Sequence, residues 1–268
     1  MDDRHGHLEL PKTTLWHALR GEGPPVTFLH AGICDARSWE PQVAVLSERF
    51  TTLRYDRRGF GLSESESDDY HPHEDLLALL DHLDIGRTHL VGCSQGGKIA
   101  VDFALTHPER VGSLVLTCSA LSGHEYEGEW PAVAHELERV CEEDEDDLET
   151  INDLEIDLWV VGSDRTRDDL PAPLLALCLD MNRIALEGPE PDTLSPEPAA
   201  ATRLDQVAQR TLVITGERDV PRTLASCQVL VDGIPGARHA QMSGCAHLPN
   251  LERPEEFNEL VLDFLSED

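Results

Sequence analysis

The sequence contains very few lysines, few aromatic residues and no long uninterrupted run of apolar side chains. Lys12 and Lys98 are the only lysines, and Phe, Trp and Tyr together account for 5% of the residues. No segment approaches the ~20 consecutive apolar residues of a membrane-spanning helix. The first residues, MDDRHGHLELPKTT, also lack the basic region and the apolar run of a secretory signal. These absences predict a soluble protein of the cytoplasm.

Cysteines are present, but their positions exclude the usual disulfide and zinc patterns. The chain has seven, an odd number, and none belongs to a CxxC pair or to a paired histidine spacing. They are Cys34, Cys93, Cys118, Cys141, Cys178, Cys227 and Cys245. In a chain of this length, scattered cysteines favour free thiols in a reducing compartment. We therefore expect no metal site, and we expect Cys34, Cys93 and Cys245 to fill tight loops as small thiols.

Basic residues are scarce relative to acidic ones. The chain has 21 Lys and Arg residues against 52 Asp and Glu residues, for a formal net charge of −31. This charge repels nucleic acids and anionic membranes, so neither is expected as a partner. It also resembles the surface composition of proteins from salt-accumulating organisms, in which high ionic strength screens like-charge repulsion. The alternative is an acidic protein encoded by a GC-rich mesophilic genome.

Short apolar segments rich in β-forming residues alternate with helical patterns. This alternation indicates βα units and an α/β fold with a mostly parallel sheet, and the length of 268 residues fits one catalytic domain. Strands are predicted at Thr14–Arg20, Val26–His30, Thr51–Tyr55, Thr88–Gly92, Ser113–Cys118, Thr211–Thr215 and Arg238–Met242. Helices are predicted at Trp39–Glu48, His73–Leu83, Gln95–Leu105, Pro221–Val231 and Pro254–Leu265.

The alternation stops between Ser119 and Asp205, where strand patterns give way to acidic helical segments. We interpret residues 119–205 as a helical lid inserted into a core formed by residues 1–118 and 206–268. The acidic run at 141–147 is interpreted as solvated surface, because it lacks the alternating ligands and central glycine of a calcium loop. The proline-rich residues 188–201 are interpreted as an exposed connector back to the core.

A Gly-x-Ser-x-Gly motif gives the first chemical signal. Gly92-Cys93-Ser94-Gln95-Gly96 directly follows the apolar residues Leu90-Val91 of a predicted strand and directly precedes a predicted helix. Flanking glycines allow a strained strand-to-helix turn, which projects the serine Oγ from the edge of the sheet. The motif predicts Ser94 as a nucleophile rather than as an ordinary turn serine.

A serine hydroxyl is a weak nucleophile, so it needs a general base and a carboxylate that orients the base. His247 and Asp219 each lie in a loop just past a predicted strand. Open α/β sheets place their sites at these carboxyl ends of strands. We predict His247 as the base and Asp219 as the orienting acid. The alternative for Asp219 is a helix cap before Pro221, and His30 is expected to have a structural role.

Several segments, in the same order, resemble those of the α/β-hydrolase family, and the resemblance covers nearly the whole chain except the lid. They are His30 to Ile33 (HAGI), Trp39, Asp56 to Ser63 (DRRGFGLS), Gly92 to Gly96, His107 to Val111 (HPERV), Gly216 to Asp219 (GERD) and His247 to Pro254 (HLPNLERP). The chain order Ser94, Asp219, His247 is also the one expected for this family. The resemblance implies an eight-stranded sheet, hence one more strand near Leu8-Glu9-Leu10.

The resemblance also implies an oxyanion hole, which directs backbone N–H groups at the negative charge that develops during the reaction. Gln95, the residue after the nucleophile, supplies one donor, and the loop after the third strand supplies the other. Gly32 is the predicted second donor by position, with Ile33 as the alternative. Asp56 and Arg57, in the neighbouring DRRG segment, are expected to pair with each other in a structural loop.

The implied mechanism is attack by Ser94 on a carbonyl, followed by an acyl-enzyme that water hydrolyses with the help of His247. No cofactor is required, and a serine nucleophile disfavours epoxide opening and halide displacement. We expect hydrolysis of a small-molecule carboxylic ester. The alternatives are hydrolysis of an enol-lactone or a carbon–carbon bond, and cofactor-free perhydrolysis, because one triad serves all of them. A ligand-binding or receptor protein on the same scaffold is the non-enzymatic alternative.

The acidic composition predicts that thermal stability and activity increase from dilute buffer to molar KCl. The physical reason is that salt screens the repulsion among the excess carboxylates. A thermal denaturation series in KCl at constant pH, with turnover followed in the same buffers, measures the effect. A melting temperature that is highest in dilute buffer would contradict the halophilic interpretation.

Overall fold

The computed structural model of the chain describes residues 3–66, 69–189 and 192–267. Within these ranges the strands are β1 (Arg4–Leu10), β2 (Thr13–Arg20), β3 (Pro25–Leu29), β4 (Thr51–Tyr55), β5 (Glu64–Ser65), β6 (Thr88–Cys93), β7 (Val111–Thr117), β8 (Arg210–Gly216) and β9 (Arg238–Met242). They form one sheet in the order β1-β2-β4-β3-β6-β7-β8-β9, and the short β5 pairs with β2. All seven predicted strands are confirmed, and the additional N-terminal strand is present as β1.

The sheet is antiparallel at one edge and parallel elsewhere. β2 runs antiparallel to both β1 and β4, whereas β4, β3, β6, β7, β8 and β9 are joined by parallel pairing. The carboxyl ends of six neighbouring strands therefore lie along one edge. The predicted α/β class is confirmed.

The helices are α1 (Glu40–Leu46), α2 (Pro72–His82), α3 (Gln95–Thr106), α4 (Ala132–Glu143), α5 (Leu148–Glu155), α6 (Ala172–Glu187), α7 (Pro221–Gly233), α8 (Pro249–Glu252) and α9 (Pro254–Leu265). The five predicted helices correspond to α1, α2, α3, α7 and α9, while the single-turn α8 was not predicted. None of the helices in the described ranges has the length and apolar character needed to span a membrane.

Neighbouring residues of the central strands pack into two separate hydrophobic clusters. Val91 and Val115 lie with side chains of α1 and α9, whereas Leu90 and Leu114 lie with side chains of α2, α3 and α7. This is the two-residue alternation of a strand whose two faces are both covered. Because both faces are buried, the central strands read in the sequence as continuous apolar runs.

Between β7 and β8 the chain leaves the sheet and forms α4, α5 and α6, with a π-helical stretch at Ile156–Val161 directly after α5. The acidic run, residues 141–147, spans the end of α4 and the connection to α5. Its residues 141–146 are exposed, and the Asp147 side chain caps α5 by accepting a hydrogen bond from the Thr150 N–H at 3.2 Å. The prediction that this run is surface is confirmed. Glu190 and Pro191, in the predicted connector, lie outside the described residues.

Arg165 joins this inserted segment to the loop after β9. Its guanidinium pairs with Glu252 at 2.6 Å, and the two side chains are only 9% and 5% exposed. The same guanidinium donates to the Gly244 carbonyl at 2.9 Å. Glu252 also accepts a hydrogen bond from the Ala246 N–H at 2.7 Å. The ion pair therefore fixes the backbone immediately before His247.

We predict that Arg165→Met lowers the free energy of unfolding by about 3–5 kcal/mol, because it leaves the Glu252 carboxylate buried without its cation. Urea unfolding followed by circular dichroism measures the change. The double variant with Glu252→Gln should recover part of the loss, because the unpaired charge is gone. Arg183→Met is the matched control: Arg183 pairs with Glu187 on the exposed face of α6, and its loss should cost under about 1 kcal/mol. Equal effects of the two single variants would contradict this account.

Candidate active site

Ser94 lies on the tight turn between β6 and α3, with φ 53° and ψ −116°. A side chain at positive φ costs on the order of 1–3 kcal/mol, so the surrounding structure must impose this conformation. Glycines at both flanks allow it. A Cβ at Gly92 would lie 2.4 Å from the Gly96 carbonyl oxygen, and a Cβ at Gly96 would lie 2.1 Å from the Leu29 carbonyl oxygen. The motif spacing thus follows from how closely this turn passes β3.

His247 and Asp219 lie side by side in the loops after β9 and β8. The Nδ1 atom of His247 is 3.0 Å from Oδ1 and 2.9 Å from Oδ2 of Asp219, and both residues are buried. Because the carboxylate accepts at Nδ1, that nitrogen carries the proton and Nε2 is the basic nitrogen. The Val220 N–H donates to Asp219 Oδ1 at 2.7 Å. Asp219 thus accepts from the next backbone amide and from the histidine. The capping alternative is wrong, because the N-cap of α7 is Val220 and no side chain among the described residues caps that helix.

Buried thiols hold the loop that carries His247. Cys93 Sγ donates to the His247 carbonyl at 3.5 Å, and Cys118 Sγ donates to the Ala246 carbonyl at 3.7 Å. Burial raises the pKa of both thiols well above the ordinary value for cysteine, so both stay protonated. Cys34 and Cys245 lie in loops as buried free thiols, as predicted, whereas Cys93 is the last residue of β6.

Within the described residues, one cluster has spacing that could suit a metal ion: Cys118, Asp219 and His247 lie within 4.8 Å of one another. A metal-binding thiol must lose its proton, and the raised pKa of Cys118 opposes that loss. Nδ1 of His247 is already committed to the carboxylate. The donor set therefore fits a histidine–carboxylate pair packed on a thiol better than it fits a metal.

All five predicted site residues line or adjoin one cavity of about 810 Å³ at the carboxyl edge of the sheet. Gly32, Ser94, Gln95 and His247 line it, and the buried Asp219 lies behind His247. Ile33, the alternative oxyanion donor, lines the same wall. Ser94 Oγ makes no hydrogen bond to His247 among the described residues, and such bonds commonly tighten only when substrate is bound.

The inserted segment contributes one wall of the cavity. Trp159 accepts a hydrogen bond from the His247 N–H through its carbonyl at 3.2 Å, and the two rings lie 4.8 Å apart. The other residues of the inserted segment on the cavity wall are Cys141, Glu145, Asp146, Leu148, Ile151, Glu155, Asn182, Ala185, Leu186, Gly188, Pro189, Asp192 and Thr193. Trp159 could not be selected from the sequence, because a tryptophan in an amphipathic segment is typical of ordinary packing.

The expected pairing of Asp56 with Arg57 is wrong. Asp56 accepts hydrogen bonds from the Ala36 N–H at 2.7 Å and from the Leu62 N–H at 2.8 Å, so it ties two loops together. Burial raises the pKa of Asp56 to about 7. Arg57 donates instead to the Gln95 side chain and to the Ala31 carbonyl. Each side chain forms hydrogen bonds with groups of neighbouring loops. These partners depend on the three-dimensional arrangement of the loops and not on adjacency in the sequence.

His30 has the structural role that was predicted. Its Nε2 accepts a hydrogen bond from the Arg57 N–H at 3.1 Å, so its Nδ1 carries the proton and donates to the Ala31 carbonyl at 2.8 Å. Burial, together with the Arg57 charge, holds the pKa of His30 well below 6.5. The ring is therefore neutral and locked in one tautomer.

Comparison with known proteins found a matching family model and several similar proteins. A family model described as the alpha/beta hydrolase fold matches residues 24–149. A curated 2-hydroxy-6-oxononadienedioate/2-hydroxy-6-oxononatrienedioate hydrolase of Paraburkholderia phymatum is 32% identical over 194 residues, 72% of this chain and 67% of that protein. A pimeloyl-[acyl-carrier protein] methyl ester esterase of Aeromonas hydrophila is 26% identical over 91% of this chain and 96% of its own. The crystal structure of an enol-lactonase from Burkholderia xenovorans superposes with a TM-score of 0.79 at 26% identity, covering 97% of this chain and 100% of the other.

The neutral, buried His30 predicts a pH dependence of stability. Below the ordinary histidine pKa of about 6.5, the unfolded chain binds a proton that the folded chain excludes, so stability falls by up to ~1.4 kcal/mol per pH unit as pH decreases. Above that pH the contribution is constant. His30→Gln cannot titrate and should show a shallower decline in urea unfolding between about pH 7.5 and about pH 5. The exposed His135→Gln is the control and should keep the wild-type slope. Equal slopes for wild type and His30→Gln would refute the prediction.

Proposed function

The chain belongs to the α/β-hydrolase fold family, and from this premise we propose that it is a serine hydrolase of small-molecule carboxylic esters. We propose Ser94 as nucleophile, His247 as general base and Asp219 as the acid that orients it. Gln95 and Gly32 are the proposed oxyanion donors. The observation that carries the proposal is the convergence of these side chains and amides on one cavity, with Nδ1 of His247 held at 2.9 Å by the Asp219 carboxylate.

The proposed reaction proceeds through an acyl-enzyme. His247 Nε2 takes the proton of Ser94 as Oγ forms a bond to the ester carbonyl carbon, and the carbonyl oxygen becomes an oxyanion. The intermediate expels the alcohol, which receives the proton from His247. Water then attacks the acyl group with His247 as base, and the acid and free Ser94 are released. Asp219 stabilises the imidazolium in both halves and keeps its charge throughout.

The charge of the cavity wall favours an uncharged ester. Four carboxylates line the cavity: Glu145, Asp146, Glu155 and Asp192. Two arginines also line it. Arg58 is neutralised by Asp75 through bonds of 2.6 and 2.7 Å, and the single charge of Arg57 leaves the wall net negative. A substrate with two carboxylates, such as the dienedioate in the name of the Paraburkholderia relative, would be repelled by this wall. This repulsion argues against hydrolysis of such a dianionic substrate, whereas an uncharged ester is not repelled.

We propose the inserted segment 119–205 as a lid that sets specificity. It contributes Trp159 directly against His247 and the acidic side of the wall. A lid of this kind excludes water from the reacting atoms and shapes the pocket, while the sheet edge supplies the reactive groups.

The test is turnover of p-nitrophenyl acetate and butyrate, with fluorophosphonate labelling of the serine. Ser94→Ala should abolish labelling and lower kcat by about 10⁶-fold, and Asp219→Asn should lower it by about 10⁴-fold with the fold intact. Ser266→Ala, at an exposed serine after α9, is the matched control and should behave as wild type.

Two outcomes would overturn the proposal. One is near wild-type ester turnover in a folded Ser94→Ala variant, which would remove the nucleophile. The other is a higher kcat/KM for a dianionic dienedioate than for the uncharged esters, which would assign the chain to carbon–carbon hydrolysis. Ligand binding without turnover or labelling would instead support a receptor on this scaffold.

A further inference from the structure

Arg57 is a buried cation without a carboxylate partner. It follows β4, its side chain is 2% exposed, and it lines the cavity near Ser94. Within the described residues it forms no ion pair, whereas the adjacent Arg58 makes a two-point pair with Asp75. Desolvation of a guanidinium is costly, and buried arginines are ordinarily paired. A cation in this position needs an explanation from its surroundings.

The groups that Arg57 does contact belong to the two segments that carry the oxyanion donors. Its Nη1 donates to Gln95 Oε1 at 3.0 Å, and its Nη2 donates to the Ala31 carbonyl at 3.2 Å. The guanidinium carbon lies 4.3 Å from the centre of the Phe60 ring, a contact that favours one orientation of the guanidinium plane. One side chain thus bridges the loop after β3 and the first residue of α3.

The bond to Ala31 sets the direction of the next amide. A trans peptide is planar, so the Ala31 carbonyl and the Gly32 N–H point in opposite directions. The carbonyl is held by three donors: Arg57 Nη2, His30 Nδ1 at 2.8 Å and the Cys34 N–H at 3.2 Å. Among the described residues the Gly32 N–H donates to no protein acceptor, so it remains available for a ligand.

The bond to Gln95 keeps the second segment against the first. The Gln95 side chain lies so close to Gly32 that a Cβ there would be 3.0 Å from Gln95 Nε2. The Gln95 N–H itself belongs to the first residue of α3, where backbone amides have no partner within the helix. The Gln95 side chain therefore packs directly against the residue that carries the other donor.

We propose that Arg57 is a positioning residue of the oxyanion hole, which aligns the Gly32 and Gln95 amides and adds an uncompensated positive charge behind them. The inference rests on the proposed ester hydrolysis at Ser94. An uncharged ester carries no full charge in its ground state and a full negative charge in the tetrahedral intermediate. Fixed donors and a fixed cation therefore stabilise the transition state more than the bound substrate, so they act on kcat rather than on KM.

The first measurement is the split between kcat and KM with p-nitrophenyl acetate. Arg57→Met removes both the two hydrogen bonds and the charge. It should lower kcat by about 10- to 100-fold, with KM within about 3-fold of wild type. Arg57→Lys keeps the charge but reaches only one acceptor, so it should recover part of the loss. Arg110→Met is the matched control, because Arg110 also donates to backbone carbonyls, those of Ile85 and Gly86, far from the cavity.

The second measurement is the affinity for an alkyl trifluoromethyl ketone. Ser94 Oγ adds to its carbonyl carbon, the carbonyl π bond breaks, the proton goes to His247, and the oxygen becomes an oxyanion in the hole. Arg57→Met should weaken this inhibitor by the same factor as kcat/KM, since both report oxyanion binding. Loss of a residue with a purely structural role would not change the inhibitor affinity and kcat/KM by the same factor. Gln95→Leu keeps its amide but loses the acceptor for Arg57, and it should show a smaller loss in both quantities, even if Arg57→Met fails to fold.

The outcomes separate this inference from the proposed function. Ester turnover by a folded Ser94→Ala variant would refute the proposed function itself. An inactive Ser94→Ala, together with Arg57→Met or Gln95→Leu variants that keep wild-type kcat and inhibitor affinity, would sink only the role of Arg57. A rise in KM at unchanged kcat would also overturn it, because it would show that Arg57 binds ground-state substrate.

Discussion

The close crossing of the Ser94 turn over the end of β3 is the constraint on which the site depends. The backbone at Gly96 approaches the Leu29 carbonyl so closely that a Cβ would lie 2.1 Å from that oxygen. This contact brings the helix that begins at Gln95 next to the loop that contains Gly32. Any larger side chain at Gly96 would separate the two segments, and the strained Ser94 conformation would lose the contacts that impose it.

The parallel sheet extends the same constraint to the rest of the site. β6, β8 and β9 end on one edge, so the loops after them bring Ser94, Asp219 and His247 together although they are far apart in sequence. Backbone bonds between the last two loops, such as Arg218 N–H to the Cys245 carbonyl at 2.8 Å, fix their separation. Buried thiols and the Arg165–Glu252 pair also hold the His247 loop in place.

Much of this arrangement could be predicted from the sequence. Strands with both faces covered appear as compact apolar runs, and the residues just past their ends share one edge, which was enough to select Ser94, Asp219 and His247. The partners of Asp56 and Arg57 could not be predicted, because consecutive residues of opposite charge suggest a pair that the surrounding loops override. Nor could the position of Trp159, since packing between an inserted segment and a core is decided by contacts far apart in sequence. The substrate class likewise depends on which side chains of the inserted segment face the cavity.

In the proposed ester hydrolysis, the acidic wall of the cavity would affect the release of the product. Ester hydrolysis converts an uncharged molecule into a carboxylic acid that ionises at neutral pH. Glu145, Asp146, Glu155 and Asp192 repel that anion but not the ester from which it came. For such a reaction the wall would weaken the binding of product relative to substrate, which would limit inhibition by accumulating acid.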